Sequence, residues 1–518
     1  MLIYHRQSGG VMNPIKTENG YISGLVLGEP GKEVHVFRGI PYASPPVGEL
    51  RWMPPQPVKK WDGVRETKEF GAIAPQTIIP IPGAPFGQAP QPQSEDCLFL
   101  NVWTPGLDNA RRPVMVWIHG GAFTIGAGSE PLYDSDILPK RGNIVMVSIN
   151  YRLGMLGFLR LKDVTGGKIP ATGNEGLMDQ VAALKWVKNN IAAFGGDPDN
   201  ITVFGESAGA MSIASLMAMP SAKGLFHKGI LESGSGDFAI SLENANANCQ
   251  LFLETAGIKG NDVNTLLALA PDKLLEIEQK MIASRLGRGK NPEVTVSAPI
   301  IDKEIIPDDS NKLAKQGYSK EIITLIGNNL NEWKLLAMME PGFDQIDEAE
   351  VLKRLGRFMS TSEVKALITA YRQALAKRGE PTTPSEIYAA IFGDYMFRIP
   401  GLVLTEAQQA AYNYLFTWKS PAMGGTLGAC HGLEIGFVFG EYDDTFCGSG
   451  PEADKLAKCI QDAWLAFAHT GDPSCESIGK WPVYGNKRMT MILDKKCHVE
   501  MAPYEEERQA WDKTDIFS

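Results

Sequence analysis

Histidine is scarce in this chain. Seven occur among 518 residues, so a search for a general base has few candidates. Basic patches are missing as well. The formal net charge is -10, and without a Lys/Arg stripe nucleic acid is excluded as an expected partner. No apolar run reaches the ~18 residues that cross a bilayer. Residues 1–14 have neither the apolar stretch nor the small-residue cleavage site of a secretory leader, so a cytoplasmic protein without a membrane partner is expected. Cysteine is sparse and unpatterned. The seven, at 97, 249, 430, 447, 459, 475 and 497, form no C-x-x-C and no Cys/His zinc spacing. They read as reduced structural thiols, and no metal is expected.

What is present is an ordinary globular composition, 44% hydrophobic and 21% charged. No linker cuts the chain, so one domain over 14–518 is expected, with 1–13 as an N-terminal extension and Met12 as an alternative start. Residues 20–40 read as short antiparallel strands. Ile78 to Gln93 is a Pro/Gly/Gln-rich loop with apolar residues at its tip, equally a surface loop or a wall over a site. From 113 onward the pattern is α/β. Val114–Ile118 and Ile144–Ile149 are nearly continuous apolar runs, as strands buried on both faces require. A helical stretch over 176–190 follows, then strands near 201–206, 228–233, 321–326 and 411–417. Such alternation predicts a mostly parallel twisted sheet flanked by helices, with ligands at the carboxyl ends of its strands. Charged helical stretches near 240–290 and 345–410 read as insertions around the mouth of a site.

The chemistry centres on Gly205-Glu206-Ser207-Ala208-Gly209. It is a G-x-S-x-G between a strand and a helix, the setting of a nucleophile elbow. A serine there needs a base, and the base needs an acid, in the chain order Ser, Asp/Glu, His. Three histidines come late enough. His469 ends a helical stretch and His498 lies in a strand-like run. His431 follows the 411–417 strand in a Gly-rich loop, where a base belongs. For the acid, Glu332 follows the 321–326 strand through a short loop, whereas Asp302 and Asp394 follow no parallel strand directly. Glu434 is too near His431 in sequence to orient its ring. The oxyanion donors are expected from the N–H of Ala208 and from the Gly-rich turn His119-Gly120-Gly121-Ala122-Phe123.

With Phe37-Arg-Gly-Ile-Pro-Tyr42, Ser94-Glu-Asp-Cys97, Gly173-Asn-Glu-Gly176 and Cys430-His-Gly-Leu-Glu434, the chain resembles the type-B carboxylesterases of the α/β-hydrolase superfamily, which include the cholinesterases. The resemblance spans nearly the whole chain. It implies Ser207, Glu332 and His431 as the triad and Gly121, Ala122 and Ala208 as oxyanion donors. It also implies Gly120 as the preceding turn, Ser233 and Glu206 as residues beside the triad, and ion pairs Arg51–Glu95 and Arg152–Asp179. Ala74 stands where secreted relatives pair a cysteine with the one matching Cys97, which implies no disulfide there. Some cholinesterase-like binding modules have lost their triads; the intact trio here weighs against that role. The expected function is hydrolysis of small to medium apolar or aromatic carboxylic esters, without cofactor, by a monomer or weak homo-oligomer. Phe123, Trp333 and Phe437 are candidate pocket walls.

Overall fold

The structure, a computed structural model, describes residues 12–78, 91–285 and 296–516. Its frame is an eleven-stranded sheet. In chain order the strands are Leu25–Leu27 (β1), Val34–Pro41 (β2), Phe99–Thr104 (β3), Arg112–Ile118 (β4), Val145–Ile149 (β5), Gly196–Glu206 (β6), Lys228–Glu232 (β7), Ile323–Asn329 (β8), Ala411–Phe416 (β9), Met489–Leu493 (β10) and His498–Met501 (β11). Across the sheet they lie in the order β11-β10-β9-β8-β7-β6-β4-β5-β3-β2-β1. Every neighbouring pair from β10 to β5 is parallel. Both margins are antiparallel.

The apolar runs explain the central strands. All seven residues of β4 are buried, and their period of two splits them between layers. Val114, Val116 and Ile118 enter one core with Val147 and Val203, under the helices Glu175–Asn190 and Ala208–Ala218. Met115 and Trp117 enter the other with Phe204, under the long helix Pro451–Thr470. A strand facing water on one side could not carry such a run.

The two helical stretches form where the charged amphipathic patterns predict them. Leu242–Ala256 and Pro271–Arg285 close a small core around Phe252, Leu253, Leu274 and Ile277. Arg51 ties this insertion to the N-terminal segment, donating to the carbonyls of Leu267 and Leu269 as well as to Glu95. Glu348–Leu355, Thr361–Lys377 and Pro384–Gly393 enclose a second core around Leu367, Tyr371, Ile391 and Phe392. The helical run Pro384–Ala407 is long and apolar enough to cross a membrane by composition, yet 67% of its apolar window is buried inside the protein.

One boundary differs from expectation. Met12 is buried in the first core and its Sδ accepts the Gly24 N–H at 3.3 Å, so the folded body includes residues 12 and 13. Of the Ile78–Gln93 loop, residues 79–90 lie outside the described residues.

Candidate active site

The elbow is built by crowding. β6 ends at Glu206 and a helix starts at Ala208, leaving Ser207 alone to turn the chain, at φ 54° and ψ -121°. That is a costly conformation for a non-glycine residue. It is held by Ser207 N–H donating to the Glu232 carbonyl of β7 at 2.8 Å. A side chain on Gly205 would meet the Ile118 carbonyl oxygen at 2.5 Å, and one on Gly209 would meet the same oxygen at 2.0 Å. Both glycines are therefore required by one atom of β4.

The Gly-rich turn after β4 rests on this elbow. A Cβ on Gly120 would lie 2.8 Å from the Glu206 carboxylate and 3.1 Å from Ser207 Cβ. Gly121, Ala122 and Phe123 all take positive φ, at 106°, 53° and 61°. Their shape is fixed from outside by Gln76, whose side chain accepts the Gly126 N–H and donates to the Gly126 carbonyl. From below, Tyr151 Oη donates to the His119 carbonyl at 2.8 Å and stacks on its ring. Burial lowers the His119 pKa to about 4 against its hydrogen bond to the Gly120 carbonyl, so the ring is neutral and structural. The N–H groups of Gly121, Ala122 and Ala208 have no partner among the described residues, and an acceptor placed over Ser207 would find three donors.

His431 and Glu332 meet as expected. His431 Nδ1 and Glu332 Oε2 are 2.6 Å apart, both side chains buried. The other Glu332 oxygen accepts the Asn329 N–H at 2.7 Å, so the end of β8 orients the carboxylate. Asp302 instead accepts backbone N–H groups of 304–306, and Asp394 pairs with Arg398 and Tyr371. His469 bonds the Gly142 carbonyl, and His498 bonds Glu500, both at the surface. On the far edge of His431, Nε2 lies 3.1 Å from Glu206 Oε1, close enough for charge attraction but without hydrogen-bond geometry. Among the described residues the His431 ring nitrogens face Glu332 and Glu206, with no hydrogen bond to Ser207 Oγ, a contact that commonly tightens only around substrate.

Carboxylates crowd this histidine. Glu206, Glu232, Glu332 and Glu434 are all buried. Glu434 takes no part in orienting the ring; its oxygens accept from Ser233 Oγ and Asn329 Nδ2. Asn329 Nδ2 also donates to the Cys430 carbonyl beside the histidine, at 2.7 Å. Glu232 accepts from Trp464 Nε1 at 2.8 Å. Burial first, then neighbouring carboxylates, raise Glu434 to about 8 and push Glu232 well above the carboxylate range. Burial raises Glu206 to about 7. For His431 burial favours the neutral ring, but Glu206, the Glu332 hydrogen bond and Glu434 outweigh it and raise the pKa to about 9.

The expected aromatic walls need correction. Phe123 is fully buried between Phe158 and Phe238, and Phe437 is fully buried against Phe416, Trp418 and Tyr442 in the other core. Neither has surface to offer a ligand, because the turn and the helix Ile435–Phe439 direct them inward. Trp333 is only partly buried and packs edge-on against Phe392 at 4.4 Å. An aromatic that sequence reasoning did not find is Phe397, whose ring lies 4.6 Å from that of His431. It is presented by a π-helical turn, Asp394–Arg398. The signal was Pro400 inside an apolar helical run, since a proline there leaves a carbonyl unmatched and favours a widened turn.

Comparison with known proteins adds to this geometry. A model described as the carboxylesterase family matches residues 12–511. Over 496 residues the chain is 38% identical to a para-nitrobenzyl esterase of Bacillus subtilis, covering 94% of this chain and 96% of that one. It is 34% identical to a phenmedipham hydrolase of Pseudarthrobacter oxydans, covering 87% and 89%. Among solved structures, a Geobacillus stearothermophilus carboxylesterase superposes with a TM-score of 0.84 at 37% identity, covering 96% of this chain and all of the other.

Proposed function

The chain belongs to the carboxylesterase family and is a serine-hydrolase-type carboxylic ester hydrolase of α/β-hydrolase fold, and from that premise we propose that Ser207, His431 and Glu332 are its catalytic triad. The observation that carries the assignment is the 2.6 Å contact of Glu332 with His431, made between the loops after β8 and β9, two and three strands from the β6 that carries the elbow. His431 takes the Ser207 proton as Oγ attacks the ester carbonyl. Glu332 keeps the proton of the resting ring on Nδ1 and stabilises the imidazolium. The developing oxyanion takes the N–H groups of Gly121, Ala122 and Ala208, whose turn is locked before substrate arrives and so costs little reorganisation. His431 then protonates the leaving alcohol and activates water against the acyl-enzyme. Glu206 lies beside the ring, Ser233 binds the neighbouring Glu434, and Gly120 lets the donor turn touch the elbow.

The substrates we assign are small to medium apolar or aromatic esters. One relative is named for p-nitrobenzyl esters, which carry an aryl group. Of the expected walls only Trp333 is partly exposed and remains available. Seven free thiols fit a cytoplasmic protein, and gel filtration checks the expected monomer or weak homo-oligomer. Hydrolysis of p-nitrophenyl esters from acetyl to palmitoyl tests the whole reading. The optimum should fall at short to medium chains, and Ser207→Ala, with unchanged circular dichroism, should lose about 10⁴-fold or more. A Ser207→Ala variant with wild-type rates overturns the triad, and an optimum at palmitoyl overturns the substrate class.

A further inference from the structure

The ladder between β8 and β9 ends at Asn329 and Phe416, before the chain reaches either Glu332 or His431. Beyond that point the twist of a sheet would splay the two loops apart, yet they stay zipped to each other. Leu330 N–H donates to the Phe416 carbonyl and Asn331 N–H to the Ala429 carbonyl, both at 2.9 Å. The Asn331 side chain returns the second bond, its Oδ1 accepting the Ala429 N–H at 3.0 Å. An amide side chain thus supplies the rung that the backbone ladder no longer provides. Gly428 makes the approach possible. It takes φ 59°, and a Cβ there would meet Asn331 Oδ1 at 2.2 Å.

Asn329 grips both loops at once. Its N–H donates to Glu332 Oε1 at 2.7 Å. Its Nδ2 donates to the Cys430 carbonyl, next to His431, at 2.7 Å, and also to Glu434. The residue is buried, so removing its donors would leave those acceptors unmatched. Two acceptors need the two N–H donors of an amide, whereas at Asn331 the side chain is used as an acceptor. We propose that Asn329 and Asn331 are positioning residues for ester hydrolysis, a clamp that locks the loop bearing Glu332 to the loop bearing His431 and presets the contact between them. The inference rests on Ser207, His431 and Glu332 being the triad.

The clamp matters twice in each turnover, since His431 moves a proton in both acylation and deacylation with Glu332 holding it. A misplacement of ~1 Å in such a site can cost ~10²-fold in rate. Both side chains are spent on the loops, so their loss should fall on kcat and leave KM in place. The Glu332 hydrogen bond also raises the His431 pKa, so a loosened clamp should carry the acid limb of kcat/KM to lower pH. Glu206 and Glu434 act on the ring as well. Among the described residues the Asn331 side chain bonds Ala429 and neither of those carboxylates, which makes Asn331 the cleaner probe of that limb.

One kind of substitution at two positions tests this, with opposite outcomes. Asn329→Asp exchanges the doubly donating NH2 for oxygen and should lower kcat on p-nitrophenyl esters by about 10²-fold, with KM within about twofold of the wild type. Asn331→Asp keeps its acceptor and should stay within about threefold of the wild-type kcat, whereas Asn331→Ala should lose about tenfold or more and shift the acid limb to lower pH. On a Glu332→Gln background Asn331→Ala should add little, because both changes act on one contact. Asn331→Asp falling as far as Asn331→Ala, an unmoved acid limb in Asn331→Ala, or a folded Asn329→Asp with wild-type kcat overturns the clamp. Should Asn329→Asp not fold, the two Asn331 variants decide, since that residue is only partly buried. Ser207→Ala separates the clamp from the triad. A wild-type rate there overturns the triad itself, whereas an inactive Ser207→Ala beside an unaffected Asn331→Ala overturns the clamp alone.

Discussion

At the residue scale the dominant fact is that His431 stands among more negative charge than ester hydrolysis needs. Glu206, Glu332 and Glu434 all act on one imidazole, and Glu206 and Glu434 titrate together with their neighbours rather than as separate sites. With His431 raised to about 9, kcat/KM should climb with pH through and above neutrality as the ring loses its proton. Glu206→Gln removes the first-ranked anionic partner of the ring and disfavours the imidazolium. Its acid limb should shift to lower pH, and a pH–rate profile that does not move refutes the coupling. Glu332→Gln should be severer, lowering kcat by about 10³–10⁴-fold through loss of the oriented tautomer. Ser207, His431 and Glu332 were legible because their order and their positions after strands are written along the chain. Glu434 was legible only as a rejected acid. Its bonds to Ser233 and Asn329 join residues about a hundred or more positions apart, and no local pattern encodes them.

At the element scale the strand–turn–helix unit shows how little freedom the elbow has. A methyl on Gly209 would sit 2.0 Å from a backbone oxygen of β4, which cannot rotate away. Gly209→Ala should destabilise by about 3 kcal/mol or more, beyond ordinary overpacking, and lower the thermal midpoint together with activity. By contrast, the helix Thr361–Lys377 starts with a capping box between Ser360 and Glu363 far along the second insertion. Ser360→Ala should cost about 1 kcal/mol and leave kcat untouched, as urea unfolding beside an esterase assay can check. Periodicity revealed the central strands and both helical insertions, since apolar runs and amphipathic stripes are local. It did not reveal the π turn at Asp394–Arg398, where one proline's missing N–H competes with an otherwise regular helix.

At the scale of the whole molecule, the buried acids make stability and activity run in opposite directions. Folding raises Glu206, Glu175 and Glu278 from 4.5 to about 7 and Glu434 to about 8, with burial the main cause each time. As pH rises past 4.5 the unfolded chain releases these protons first while the native protein must keep them, so stability falls across pH 4.5 to 8. His431, raised to about 9, adds to the fall from 6.5 upward. His119, lowered to about 4, works against it only between 6.5 and 4. Chemical denaturation should thus show a higher midpoint near pH 5 than near pH 8, although the enzyme turns over faster at the alkaline end. A flat profile refutes the account. The sequence shows no linker, and a family model matches residues 12–511 without a break. The burial of Met12 was not legible there, because a lone methionine reveals its packing only in three dimensions.

The sheet order also carries a timetable. From β6 to β11 each strand is laid beside its predecessor, always on the same side. A nascent chain can therefore extend this half by docking each new strand on a waiting edge as it emerges. In the proposed triad Ser207 is synthesised 224 residues (431 − 207) ahead of His431, which at ~5–20 residues per second is a delay of about ten to forty-five seconds. Throughout that interval the strained serine has no histidine to activate it. If that triad acts, a chain that has not yet delivered His431 should be silent toward esters, and the first turnover should report that β9 and its loop have been delivered.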